Sequence, residues 1–295
     1  MTRVWIWVWT IPACEGGDLD AIVAKAKAHG VGLIVKTHDG ATFGGAWDPQ
    51  GVSRLLIQKC LDAGVPVRSW GYCYPNVNPD VQAAFAFAPQ VGYVADVEGE
   101  WDDQPDAARR FADALSVARA KAAQVADVRG RPVSLAYAPL PIVSLHNGGQ
   151  YAEFNRVCDY VAPQAYAGTG RRDAIGALQW TEQEWQTAFA DAVIEPAIYA
   201  ADQDSGSFLA AMLYVFGKVA QHQRTFGDGS LSIWSYQHMT SEHWAAVEAA
   251  LAQAVPPPPP APFVPPPAPP ATTPPPVTSP GCIVSLALAL ARLLR

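Results

Sequence analysis

Eight apolar, β-rich runs recur along the first 253 residues, each followed by a stretch of different pattern, and this alternation limits the fold more than any other feature of the chain. The runs are VWIWVW (4–9), VGLIVKT (31–37), PVRSWGYCY (66–74), VGYVADVE (91–98), PVSLAYA (132–138), DYVAPQAYA (159–167), EPAIYA (195–200) and LSIWSYQ (231–237). Helical patterns lie between them, such as DLDAIVAKAKAHG, where Asp18 can cap the start and Gly30 sits past the end. Others are GVSRLLIQKCLDAG, PDAARRFADALSVARAKAAQVA and SGSFLAAMLYVFGKVAQHQRTFG, and SEHWAAVEAALAQAV follows the last run. Parallel strands need a crossover between neighbours, so strands alternating with helices predict a parallel sheet. Eight such units in about 250 residues match a (β/α)8, or TIM, barrel over residues 1–253. The competing architecture is a doubly wound open sheet, but IPACEGGD, after the first run, does not fit the G-x-G-x-x-G phosphate turn.

Composition narrows the partners. The net charge of −7 comes with no basic block, so neither nucleic acid nor anionic lipid is an expected partner of the barrel. Cys14, Cys60, Cys73, Cys158 and Cys282 are odd in number, widely scattered and free of C-x-x-C spacing. Reduced thiols in a chain made in a reducing compartment are expected, with no disulfide framework. His222, His238 and His243 have no ligands at metal spacing, so neither metal nor other cofactor is expected. The start, MTRVWIWVWTIPAC, has the basic residue and apolar run of a signal sequence, but its alternation of β-branched residues with tryptophan reads as a strand, and synthesis in the cytoplasm follows.

Beyond the barrel the composition changes abruptly. Residues 254–280 are a Pro-rich linker, where PPPPPAPFVPPPAPPATTPPPVTSP holds 15 of the chain's 27 prolines and favours an extended, semi-rigid spacer. Residues 281–295, GCIVSLALALARLLR, form a short apolar and basic segment. Its apolar stretch of about ten residues would make about 15 Å of helix, too short for a bilayer core of about 30 Å. A membrane-surface contact, a protein contact and a disordered tail all remain open for it.

The active site of such a barrel lies where strands give way to loops at their C-terminal ends. Those positions hold Lys36, His38 and Asp39 on the second strand and Trp70, Tyr72 and Tyr74 on the third. The fourth ends in Asp96, Glu98, Glu100 and Trp101, the sixth in Gln164 and Tyr166, the seventh in Tyr199, the eighth in Trp234, Tyr236 and Gln237. Carboxylates, flat aromatic faces and amides together are the chemistry of a carbohydrate cleft. Asp96, Glu98 and Glu100 stand at alternate positions, which on an extended chain share a face.

These residues carry a resemblance. ADVE at the fourth strand resembles the D-x-E signature of glycoside hydrolase barrels, both chitinase-like family 18 and lysozyme-like family 25 glycosidases. PQAY (163–166) is similar to the Gln/Met-x-Tyr strand end of chitinase-like barrels, and IWSY (233–236) resembles the tryptophan-bearing last strand of both groups. The resemblance implies a hydrolase of an N-acetylhexosamine polysaccharide, peptidoglycan ahead of chitin. It implies Glu98 as the general acid, Asp96 as the carboxylate that orients a participating N-acetyl group, and Tyr166 as a hydrogen-bond donor to that group. Trp234 would floor the sugar site, and Gln164, Tyr236, Trp70, Tyr72, Trp101, Lys36 and Asp39 would line it. A barrel, a proline spacer and a terminal segment together are the organisation of a phage-type lysin released to the cell wall.

The chain also departs from these families. Chitinase-like enzymes carry aspartates two and five residues before Asp96, where this chain has Val94 and Val91. Family 25 lysozymes have an aspartate at the end of the first strand, where VWIWVWT has none unless Glu15 or Asp18 substitutes from the loop. The alternative is therefore a catalytically inactive barrel serving as a glycan-binding or protein-assembly module.

Other residues have structural readings. His38 reads more naturally as a hydrogen-bonded structural residue than as a catalyst, and Asp39-Gly40 as a turn. Lys36 either balances the acids of the fourth strand or extends out between helices. Glu100 is expected in the loop, with Trp101 as a sugar contact, and Asp102, Asp103 and Asp106 in the first turn of the next helix. Trp5, Trp7 and Trp9 share one face of the first strand and are expected under the covering helices, with Trp9 reaching the cleft.

Overall fold

In a computed structural model of the chain, the residues described are 3–86, 91–126, 133–146, 148–201, 203–220 and 230–254. The chain divides after Pro257, and all of these fall in the first unit, Met1–Pro257. The Pro-rich linker from residue 255 onward, the apolar segment, Cys282 and His222 lie outside the described residues.

All eight strands are present: β1 Val4–Val8, β2 Gly32–Asp39, β3 Val67–Tyr72, β4 Gly92–Val97, β5 Leu135–Pro139, β6 Tyr160–Val161, β7 Ala197–Tyr199 and β8 Leu231–Trp234. They alternate with α1 Leu19–Ala28, α2 Ser53–Ala63, α3 Pro79–Ala86, α4 Pro105–Ala126, α5 Gly149–Asn155, α6 Ala174–Ala188, α7 Ser205–Ala220 and α8 Ser241–Gln253. The strands form one parallel sheet in the order β6-β5-β4-β3-β2-β1-β8-β7. Parallel bridges Val161–Ile194 and Gln164–Ala197 link its two ends, so the sheet curls into a (β/α)8 barrel. The sequence patterns did not mark α3, α5 and α6.

The strands read as continuous apolar runs because both faces are covered. Asp18 caps α1 as expected, accepting from the backbone N–H of Asp20 and Ala21. Asp48 does the same for α2, accepting from Val52 and Ser53. Among the described helices none is long and apolar enough to cross a membrane. Cys14, Cys60, Cys73 and Cys158 are free thiols.

Two apolar layers result. The larger lies between sheet and helices, and takes in Tyr93, Trp101, Tyr137, Phe154, Trp185 and Tyr236. The smaller fills the barrel interior with Trp5, Trp7, Ile34, Trp70, Val94, Ala136, Ala138 and Ala162, and Tyr72, Tyr160 and Trp234 pack on it. Trp5 and Trp7 are therefore inside the barrel, not under the helices. Small neighbours make the room: Trp5 pairs in register with Gly32, and a Cβ on Gly32 would run into the Trp5 ring. Trp9, the third of the series, is 40% exposed beside Trp234, with ring centroids 5.7 Å apart.

Candidate functional site

Three strands in register build one wall of the barrel mouth. β3 lies between β2 and β4, and Tyr72 pairs with Asp39 on one side and Asp96 on the other. The alternation of β4 sends Tyr93, Ala95 and Val97 out to the helix layer, and Val94, Asp96 and Glu98 in. A cavity of about 230 Å³ opens above the interior tryptophans, lined by Trp7, Asp96, Glu98, Ala138, Gln164, Tyr166 and Trp234.

The polar contacts knit these groups together. Gln164 Nε2 donates to Glu98 Oε1 at 2.8 Å and to Asp96 Oδ1 at 3.3 Å, so one amide holds both carboxyl groups. Burial, then the negative charge that Glu98 carries when ionised, pushes the Asp96 carboxyl well above its ordinary range, and the Lys36 ammonium offsets only part of that. Asp96 thus holds its proton more tightly than an ordinary carboxyl group. Tyr166 packs on Tyr199 at 5.3 Å, and burial above all raises its phenol pKa well above the ordinary range. Tyr72 Oη stands 3.5 Å from Glu98 Oε2 and 2.9 Å from each oxygen of Glu100. The Trp234–Ser235 peptide bond is cis.

Lys36 and Asp39 meet through a break in the strand register between Lys36 and His38, which brings residues three apart to the same side. Lys36 Nζ lies 2.7 Å from Asp39 Oδ2 and within 5.2 Å of the ring centres of Trp70 and Trp47. It is buried, and does not extend to solvent between helices. Tyr74 Oη donates to Asp39 Oδ1 at 3.1 Å.

His38 faces the helix layer and is fully buried. Its Nδ1 lies 2.9 Å from the Gly40 carbonyl and its Nε2 2.9 Å from Tyr93 Oη. Burial lowers its pKa to about 4, so the ring is neutral, donating to Gly40 and accepting from Tyr93. Gly71 makes this possible, since a Cβ there would occupy the imidazole's place. The structural reading of His38 fits this setting.

Two of the aromatics expected as sugar contacts are placed elsewhere. Trp101 is 1% exposed between sheet and helices, packed on Phe111 and Phe154, with its indole N–H donating to the Cys73 carbonyl. Tyr236 is likewise buried, donating to Glu15 Oε1 and packing on Trp244. Both follow the end of a strand, in short 3-10 turns at Gly99–Trp101 and Tyr236–His238 that break the alternation. Trp70 is not in the cavity lining; it packs edge-on against Trp7 and Trp234, which are, with its N–H on the Val8 carbonyl. Asp102 pairs with His146 at 2.9 Å and not with a helix end, while Asp106 does sit in the first turn of α4.

The site also holds residues that strand-end positions did not single out. Trp7 and Ala138 line the cavity, and Trp47 covers Lys36 from the loop before α2. Gly32 opposite Trp5 was the available signal that the tryptophan face turns inward. Among the described residues no cluster of His, Cys, Asp or Glu is placed to hold a metal.

Searches by sequence find no matching protein-family model and no matching curated protein. The fold does match solved structures. A chitinase from Chromobacterium violaceum ATCC 12472 aligns over 86% of this chain and 100% of its own, at 15% identity and a TM-score of 0.58. A GH18 chitinase from Pseudoalteromonas aurantia aligns over the same shares, at 10% identity and a TM-score of 0.53. A sugar phosphate isomerase/epimerase from Parabacteroides distasonis ATCC 8503 matches at 13% identity and a TM-score of 0.43, over 84% of this chain and 96% of that one. At these identities the likeness is one of fold.

Proposed function

We propose that the protein is a glycoside hydrolase of a polysaccharide containing N-acetylhexosamine, with Glu98 as general acid, Asp96 as the assisting carboxylate and Tyr166 as a donor to the N-acetyl group. The observation that carries this reading is the convergence of Asp96, Glu98, Gln164, Tyr166 and Trp234 on one cavity from three strand ends, with the two carboxyl groups held by a single amide. Two fold neighbours are chitinases, and the three strand-end motifs point the same way.

In this reading the substrate's own acetamido oxygen attacks the anomeric carbon while Glu98 protonates the leaving oxygen. Trp234 supplies an apolar face for the ring. Asp96 accepts the acetamido N–H, and the proton that burial keeps on it stabilises the carboxylate left on Glu98. Glu98 then takes a proton from the water that completes hydrolysis. Paired carboxyls held this close suit substrate assistance better than an acid and a base on opposite sides of a sugar.

Peptidoglycan is placed ahead of chitin on the order of barrel, proline spacer and short terminal segment, which is that of a phage-type lysin acting at the cell wall. One observation favours a second reading, a glycan-binding barrel without turnover: the interior layer beside Asp96 is made of apolar residues, Val94, Trp7 and Trp70.

Reducing-end release from purified cell wall and from chitin separates the two. Glu98→Gln is expected to lower the rate by about 100- to 10,000-fold. Equal rates in native and variant protein remove the acid role. Glycan binding with no release from either substrate establishes the silent barrel.

A further inference from the structure

Glu100, the outermost of the three acids at the end of β4, has no part in the chemistry assigned above, yet it is tied to it. Tyr72 Oη is 2.9 Å from both Glu100 oxygens and 3.5 Å from Glu98 Oε2. A phenol has one proton to donate, and 3.5 Å is beyond the usual range of an O–H···O bond. Tyr72 therefore donates to Glu100. Glu98 Oε1 already receives Gln164, which leaves Oε2 as the oxygen without a short donor among the described residues.

We propose that Tyr72 and Glu100 form a donor switch on Glu98: Glu100 holds the Tyr72 hydroxyl aside while Glu98 carries its proton, and Tyr72 turns to Oε2 once that proton has gone to the leaving oxygen. The inference rests on the reading of Glu98 as the general acid. A hydrogen bond present equally before and during reaction speeds nothing, whereas one that forms as charge appears lowers the barrier. Protonated Oε2 is a weak acceptor, so the exposed carboxylate of Glu100 wins the phenol. After proton loss Oε2 is anionic and less exposed than Glu100, where the same bond is stronger. The phenol has to close about 0.7 Å to reach normal bonding distance. Burial and the surrounding acids hold the Tyr72 proton far above the ordinary phenol range, so Tyr72 donates a hydrogen bond without giving up its proton. No covalent step is added to those assigned to Glu98.

The test is steady-state kinetics of the full chain on whichever of cell wall and chitin the native protein cleaves, with Glu98→Gln as reference. Tyr72→Phe is expected to lower kcat by about 10- to 100-fold with KM within about twofold. Glu100→Ala, at an exposed position where folding is not at stake, is expected to lower kcat by about 3- to 10-fold, and to cost nothing further in the Tyr72→Phe background. Glu100→Gln keeps an acceptor for the phenol and should recover kcat to within about twofold of native. A raised KM at unchanged kcat in Tyr72→Phe makes Tyr72 a sugar contact and overturns the switch. So do additive losses in the double variant, or a native kcat in Tyr72→Phe confirmed folded by its unfolding temperature. If Glu98→Gln is as active as native protein, the reading of Glu98 fails and the switch with it; if Glu98→Gln is inactive and Tyr72→Phe native, only the switch fails.

Discussion

Two buried carboxyl groups at opposite ends of the barrel show how differently one fold can surround an acid. Glu195 is 4% exposed and Asp96 5%, so burial does not distinguish them. Their partners do. Glu195 Oε1 pairs with Arg68 Nη1 at 2.6 Å, and its Oε2 accepts from Ser230 Oγ at 2.7 Å. Arg68 is itself held between the rings of Trp5, 3.7 Å away, and Tyr160, 4.7 Å away. That end is a closed plug in which the charge is matched and both oxygens are used. Asp96 faces a cavity, receives one long bond from Gln164, and has another acid as its nearest charged neighbour on the strand. A carboxyl group placed so holds its proton more tightly than usual and is open to a ligand.

The largest effect expected from this contrast is on the plug. Arg68→Met leaves Glu195 buried with only Ser230, and breaking a buried pair from one side costs about 3–5 kcal/mol. Denaturant unfolding should show a loss of that size. A loss below about 1 kcal/mol would mean that the pair contributes little and that the two ends differ less than their geometry says.

The contrast was only partly legible in the sequence. The eight strands were, because runs such as VGLIVKT and VGYVADVE are apolar on both faces and so stand out from amphipathic helices. Glu98, Asp96, Gln164, Tyr166 and Trp234 were read as neighbours from the rule that strand ends share one mouth, and they do line one cavity. The rule failed for Trp101 and Tyr236, because it counts alternation past the point where the strand has ended in a 3-10 turn. Period two also says which residues share a face without saying which face is inside. Trp5 and Trp7 were misplaced for that reason, since only the pairing of β1 with β2 brings Gly32 against Trp5. The plug itself was illegible: Arg68, Glu195 and Ser230 come from three separate segments, with no spacing to connect them.

The next effect sharpens the comparison, because a second buried group titrates close to the mouth. His38 has its pKa lowered by burial from 6.5 to about 4. Between those values the unfolded chain binds the proton and the folded one does not. Stability from this residue is fully present above pH 6.5 and is lost as pH falls toward 4, by about 3 kcal/mol in all. Urea unfolding at intervals from pH 7 to 4 should show that decline in native protein and a flatter curve in His38→Gln. An unchanged slope in the variant would place the titration elsewhere.

Asp96 titrates in the opposite sense, and the smallest effect is the one that tests the contrast most directly. Its pKa in the fold is raised well above 3.8, so above pH 4 the folded state holds a proton that the unfolded chain releases. Stability from Asp96 is fully present below the unfolded value and lost as pH rises through the folded one. Asp96→Asn, a near-isostere of the neutral acid, has no proton to lose. Relative to native protein it should gain stability as pH rises above the unfolded value, and on the proposed mechanism it should release no sugar from glycan. Measuring the difference between variant and native protein at each pH leaves the His38 contribution common to both. A gain in stability joined to a loss of turnover is the signature of an acid kept for chemistry at a cost to the fold. If Asp96→Asn is instead less stable than native protein at every pH, Asp96 is a paired structural charge like Glu195, and the barrel has a plug at each end.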